Sequence, residues 1–420
     1  MGEMGDWIAF GVVGVLILAL GSSLARRNPG SPGAQYLTLG LAFRIIGSFL
    51  RFEVIERVYA GVGDSKVYFE WGKVIASNIW DGDFSLIIDG VDGRWYGSQF
   101  ISSVTGIVCF FVGDHIRAAF LVFSVFGFVG LVLCVQAFGE ALGPEAERAY
   151  ARACWLWPSL WFWPSSIGKE SLMLLATGLI VRGYVGVRGA PSWAGLVGGL
   201  ALAGAIRPHV AAVLALSVAI AETMRRSNRQ VRGRNVLNLF LTAVLAAIAV
   251  RFGLSRLGLG DADLEGIQEN FEFRATHTER GGSNIGHTGG VLAIPMAVIN
   301  VLFRPFPWEA RGAMILSSAE VVLFWALVYR NRKAFLPVLK QWRTNRFFVV
   351  AAPFALGMTL MYGLAFANLG IIARQRIVIL PFLVALIAIP ARRQVAAAVR
   401  PALTRRTQGV RAANQWGGRS

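Results

Sequence analysis

Apolar stretches long enough to cross about 30 Å of hydrocarbon recur along almost the whole chain, separated by short polar segments. The first runs from Trp7 to Leu24. It has an acidic flank before it and no clear cleavage site after it, so it reads as a retained span rather than a signal peptide. Arg26-Arg27 follows, and a second span at about 35–50 leads into a polar stretch, Arg51 to Phe100. The apolar segment 101–113 is too short to cross alone and reads as interfacial or re-entrant. Further crossings are expected at about 115–138, 150–166, 168–187, 191–206, 209–224, 235–252, 311–329, 346–366 and 370–390. A second polar loop occupies 253–290. The short apolar run 291–303 then enters Phe303-Arg-Pro-Phe-Pro-Trp-Glu309, an elbow, because two prolines forbid a continuing helix.

This pattern predicts an all-α, polytopic transmembrane domain over 1–390, with about eleven transmembrane helices, two outer loops (about 51–100 and 253–290) and short re-entrant or interfacial helices. Four basic segments fall on one side of that count: Arg26-Arg27, Arg182 with Arg188, Arg225 to Arg234, and Arg330 to Arg346. The excess of Lys and Arg on cytoplasmic loops then puts the N-terminus outside and the C-terminus in the cytoplasm of a multi-pass plasma-membrane protein. The tail 391–420 carries seven arginines among Ala, Gly, Gln and Thr, and is expected to lie disordered against anionic headgroups. No internal repeat is evident, which argues against an inverted-repeat transporter.

Composition narrows the class. Of 420 residues, 55% are hydrophobic and 15% charged, against about 25% charged in soluble domains. The net charge of +17 would suit nucleic acid, but the arginines cluster between apolar runs and in the tail, so no nucleic-acid role is expected. Cys109, Cys134 and Cys154 sit in apolar sequence and read as small buried hydrophobes. No metal site is predicted: the four scattered histidines give no zinc signature, and no visible ligand set requires a divalent cation.

Under this topology the unusual polar residues converge on the outer face, where charge at a membrane boundary argues for a site. The tryptophan-rich stretch Trp155 to Trp163, with Pro158 and Pro164, reads as a turn at the membrane interface that runs into Lys169-Glu170. Its rings alternatively serve only as an interfacial anchor, with Lys169 snorkelling. Glu170 is expected to orient Lys169 or a neighbouring arginine. Arg374 and Arg376 lie inside the last apolar run on the outer side, against the positive-inside bias, and their guanidinium forks suit phosphate or carboxylate. Snorkelling to outer headgroups is the plainer alternative. Arg207-Pro-His209 forms an outer corner, and Arg304 belongs to the proline elbow. In the first outer loop Asp64 follows glycines close to a span, where a carboxylate base can meet a hydroxyl; Asp81, Asp83, Asp89 and Asp92 compete with it, and each is alternatively just solvated. The second loop mixes six acids with Arg274, His277, Arg280 and His287, and reads as an acceptor site, a lid or an ordinary exterior loop.

Gly63-Asp64 with Tyr68, Trp163-Pro-Ser-Ser-Ile-Gly-Lys169-Glu170, Arg207-Pro-His209, Phe303 to Glu309 and Arg374-Gln-Arg376 together resemble an actinobacterial family of multi-spanning membrane proteins. That family is similar in layout to the GT-C glycosyltransferases, which depend on polyprenyl-phosphate sugars. The resemblance implies transfer of a sugar from a polyprenyl-phosphate carrier to a glycan or glycolipid acceptor of the cell envelope, on the outer face of the bilayer. It implies Asp64 as the general base, and some GT-C enzymes use a divalent metal. Lys169, Glu170, Arg207, Arg304, Arg374 and Arg376 are the expected binding set for the lipid phosphate. Three other functions fit the same residues: an envelope polysaccharide polymerase or ligase, a lipid-linked transporter, and a non-enzymatic scaffold.

Overall fold

A computed structural model of the chain describes residues 2–28, 33–187, 191–224, 232–257, 264–278, 283–286, 292–312 and 314–390. It is all-helical, at 81% helix, with no strand among the described residues. The first half runs α1 (Gly2–Arg27), α2 (Leu37–Arg57), α3 (Asp64–Trp80), α4 (Ser85–Ile88), α5 (Ser98–Val112), α6 (Ile116–Leu142), α7 (Pro144–Leu156) and α8 (Pro158–Phe162). The second half continues α9 (Lys169–Val185), α10 (Trp193–Ile206), α11 (Pro208–Met224), α12 (Arg232–Leu257) and α13 (Leu264–Thr278). It closes with α14 (Ala293–Leu302), α15 (Met314–Lys340), α16 (Phe348–Ala365), α17 (Leu369–Gln375) and α18 (Leu380–Ala388).

Among the described residues three helices are long and apolar enough to cross a membrane: Glu3–Arg27 of α1, α6 and α16. A fourth arises if the bent pair Leu369–Val378 and Leu380–Ala388, angled at 67°, is one broken span. Other apolar stretches form helices of 10–17 residues, including α5, α10, α11 and α14. Ile8, Val12, Val15, Leu16 and Leu20 form one exposed stripe on α1. Water penalises such a stripe and hydrocarbon does not, so these helices have the make-up of a bilayer-embedded protein.

Local sequence sets the breaks. Ala60 and Gly61 take positive φ (50° and 74°) at the turn between α2 and α3. Gly143 does so at 96° ahead of Pro144, which opens α7. Pro158 holds Trp157 extended, so the crossing expected at about 150–166 is split into α7 and α8. The polar stretch 51–100 is largely helical too: α2 continues to Arg57, and α3 packs along α5. Close packing of α6 on α9 depends on Gly130 and Gly178, where an added Cβ would lie 2.2 Å from the facing backbone oxygen.

The tryptophan-rich stretch, expected as a turn at the membrane interface, packs two of its rings inside the protein. Trp155 and Trp157 are buried at 2% and 5% exposure, and Trp161 stacks on Phe43 with ring centroids 5.8 Å apart. Trp155 packs against Phe128 of α6, and Trp157 against Phe324 of α15. The prolines place the break inside the bundle, and the large rings fill the joint they open. Cys109, Cys134 and Cys154 are free and buried. The tail 391–420, Arg280 to Gly282 and His287 to Gly290 lie outside the described residues.

Candidate functional site

Four separate segments meet at Glu170. Its own helix, α9, begins at Lys169, and the preceding loop is fastened to the start of α3 by Ser65 Oγ, which donates to the Ile167 carbonyl at 2.6 Å. That bond brings the first turn of α3, which carries Asp64, to the start of α9. Arg207 sits at the joint of α10 and α11, where the following proline excludes helical geometry. Arg374 comes from α17, whose first turn is capped by Asn368 accepting from the Gly370 and Ile371 amides at 2.9 and 3.2 Å.

The contacts are short and directional. Arg374 Nε donates to Glu170 Oε1 at 2.9 Å and Nη2 to Oε2 at 3.1 Å, a bidentate fork. Arg207 Nη2 donates to the same Oε1 at 2.9 Å. Arg374 Nη1 also lies 3.7 Å from Asp64 Oδ2. The two carboxylates differ sharply in access: the Glu170 side chain is 3% exposed and that of Asp64 is 64% exposed. Lys169 lies within electrostatic reach of Arg207, Glu170, Asp64 and Arg374, yet forms no ion pair among the described residues. Tyr68 borders the cluster and shares a 3.3 Å hydrogen bond with Ser98.

Five of the seven residues singled out in the sequence thus come together: Asp64, Lys169, Glu170, Arg207 and Arg374. Arg304 and Arg376 belong to a neighbouring group. Arg304 forks onto Glu309 through Nε (2.9 Å) and Nη2 (2.5 Å), and its Nη1 donates to Asn300 at 3.0 Å. Burial alone would raise Glu309, but the Arg304 bonds and the Phe306 amide outweigh it and hold the carboxyl below its usual range. Arg376 Nη1 donates to the backbone carbonyls of Val301 and Arg304 at 3.2 and 3.3 Å. Its guanidinium faces Glu320, which accepts hydrogen bonds from the Ser159 amide (3.1 Å) and hydroxyl.

Sequence reasoning missed Arg51 and Glu320. Glu320 is a charge inside an apolar run, and that embedding was the available signal, whereas Arg51 stands just past the end of one. No group of three or more His, Cys, Asp or Glu side chains placed to hold a metal occurs among the described residues. Comparison with protein-family models, curated proteins and solved structures finds no match.

Proposed function

We propose that the chain is a multi-pass membrane glycosyltransferase that moves a sugar from a polyprenyl-phosphate carrier to a cell-envelope acceptor on the outer face. In this reading it crosses the membrane about eleven times, N-terminus outside and C-terminus in the cytoplasm. The observation that carries the reading is the division of labour between the two carboxylates. Glu170 is buried and fully engaged by Arg374 and Arg207, so it sets the positions of the cations. Asp64 is exposed, pairs with the cluster through Arg374, and has its carboxylate open to accept a proton from an incoming hydroxyl.

The chemistry follows in one displacement. Asp64 takes the proton of the acceptor hydroxyl as its oxygen attacks the anomeric carbon. The bond from that carbon to the phosphate oxygen breaks, and the electron pair leaves with the polyprenyl phosphate. Cations held in a low-dielectric setting stabilise the charge that builds on the departing phosphate. The test is glycan transfer by membranes carrying Asp64→Asn in the full chain. Loss of about a hundredfold or more is expected for a general base, and full retained activity removes Asp64 from that role.

A further inference from the structure

Helix α2 carries two arginines that the catalytic reading does not use. Arg44 and Arg51 are 1% and 6% exposed, and the Nε and Nη1 atoms of both have no hydrogen-bond partner among the described residues. Seven residues apart, they share one face of the helix. Arg51 is the one at the site. Its guanidinium lies 5.4 Å from the ring of Phe162 and 4.9 Å from that of Trp163, shares a side-chain hydrogen bond with Tyr59, and feels the charges of Glu170 and Arg374. Glu170 brings one negative charge, which its hydrogen bonds already share between Arg374 and Arg207.

Charge makes the case general. Arg51, Lys169, Arg207 and Arg374 all act on Glu170, and among the described residues the one other carboxylate paired with any of them is Asp64. Among the described residues four cations of this group face two anions, a surplus of two positive charges in and around a buried site. Uncompensated buried charge is costly, and aromatic faces offset only part of that cost. A ligand bringing two negative charges balances it.

We propose that Arg51 and Lys169, the two cations of the group with no ion pair among the described residues, recognise a phosphate monoester dianion in preference to a monoanion. This rests on the glycosyltransferase reading and deepens it. A sugar-phosphate diester donor carries one negative charge, whereas the phosphate released from it carries about two near neutral pH. A site matched to the second state binds the departing group more tightly than the donor, which lowers the barrier to its departure.

The test uses the full chain in lipid nanodiscs, with decyl phosphate, decyl methyl phosphate and inorganic phosphate as probes. Decyl phosphate should bind about tenfold tighter than its methyl diester above pH 7, and the advantage should shrink below about pH 6 as the monoester gains a proton. Arg51→Gln should bring the two decyl probes to within about threefold while leaving the ligand-free protein as heat-stable as before or more so, since an unpaired buried charge is gone. Lys169→Gln, at a less buried position, repeats the binding test if Arg51→Gln does not fold. Equal binding of the two decyl probes by the unaltered protein overturns the proposal. So does an unchanged preference in both variants, or a preference unchanged in Arg51→Gln alongside a lower unfolding temperature. Inorganic phosphate matching decyl phosphate would make the ligand a free phosphate, and weaker binding makes it a lipid one. Dianion selectivity without any glycan transfer removes the transferase reading and leaves the phosphate site. Transfer without selectivity does the reverse.

Discussion

Two arginine–glutamate forks lie near α17, and they are alike in geometry but not in charge. Arg304 and Glu309 are five residues apart, and Asn300 and the Phe306 amide complete their hydrogen bonding. That fork is neutral and self-contained, and it ties one end of the proline elbow to the other. Arg374 and Glu170 are 204 residues apart, and around them gather three more cations and one more carboxylate. The first fork is complete without a ligand. The second brings remote segments together and leaves positive charge over. Two bidentate pairs of the same residue types therefore have different consequences, and the local charge balance separates them.

The sharpest way to break this contrast is to remove the acid from each fork in turn. Glu170→Gln leaves Arg207 buried and Arg374 half-buried beside Arg51, with only the exposed Asp64 carboxylate as a counter-charge among the described residues. It is expected to destabilise the protein by about 3–5 kcal/mol, measured as a fall in unfolding temperature in detergent and in the yield of folded protein. A loss under about 1 kcal/mol would show that Glu170 is not what holds the cations together. Next in size is Arg374→Lys, which keeps the charge but loses the fork onto Glu170 and the reach to Asp64. Glycan transfer should fall about tenfold, a loss of roughly 1.4 kcal/mol, with the unfolding temperature moving much less than in Glu170→Gln.

How far the sequence anticipates this contrast depends on distance along the chain. The alternation of apolar blocks and basic segments reports the all-helical, membrane-type fold, because burial in lipid leaves few other choices for the backbone. Arg374, Lys169-Glu170 and Asp64 stand out because each places charge at the margin of an apolar run. That Glu170 engages Arg374 rather than Lys169 was not legible, since neighbouring residues on a helix point about 100° apart and the true partner comes from α17. Arg51 escaped notice because the apolar run 35–50 ends just before it. The helix continues for six residues past it, so a residue assigned to a loop is a buried member of α2. The fate of the tryptophans was likewise out of reach: Pro158 announces a break, but whether the break faces lipid or α15 depends on packing from elsewhere in the chain.

The elbow gives a smaller and pH-dependent effect. Glu309 has its carboxyl held below the ordinary range near 4.5, so its fork adds stability that is fully present above that value and is lost as pH falls through the folded-state pKa. Glu309→Gln should cost about 1 kcal/mol at pH 7. It should also flatten the decline of unfolding temperature between about pH 5 and pH 3, while the selectivity among decyl probes stays as it is in the unaltered protein. A change in that selectivity would mean that the two forks are electrostatically one site.

The smallest effect expected calibrates the others. Arg57 and Glu53 form a 2.6 Å ion pair at the end of α2, but the Arg57 side chain is 81% exposed. Water and salt screen such a pair, so Arg57→Gln should change stability by less than about 0.5 kcal/mol and leave both transfer and phosphate selectivity untouched. Arg57 lies six residues beyond Arg51 on the same helix. A surface arginine that shifts phosphate binding as strongly as Arg51 would show that total positive charge, rather than the buried guanidinium without an ion pair, governs recognition. Null behaviour at Arg57 beside loss at Arg51 would trace the effect to burial, because the substitution is the same and the helix is shared.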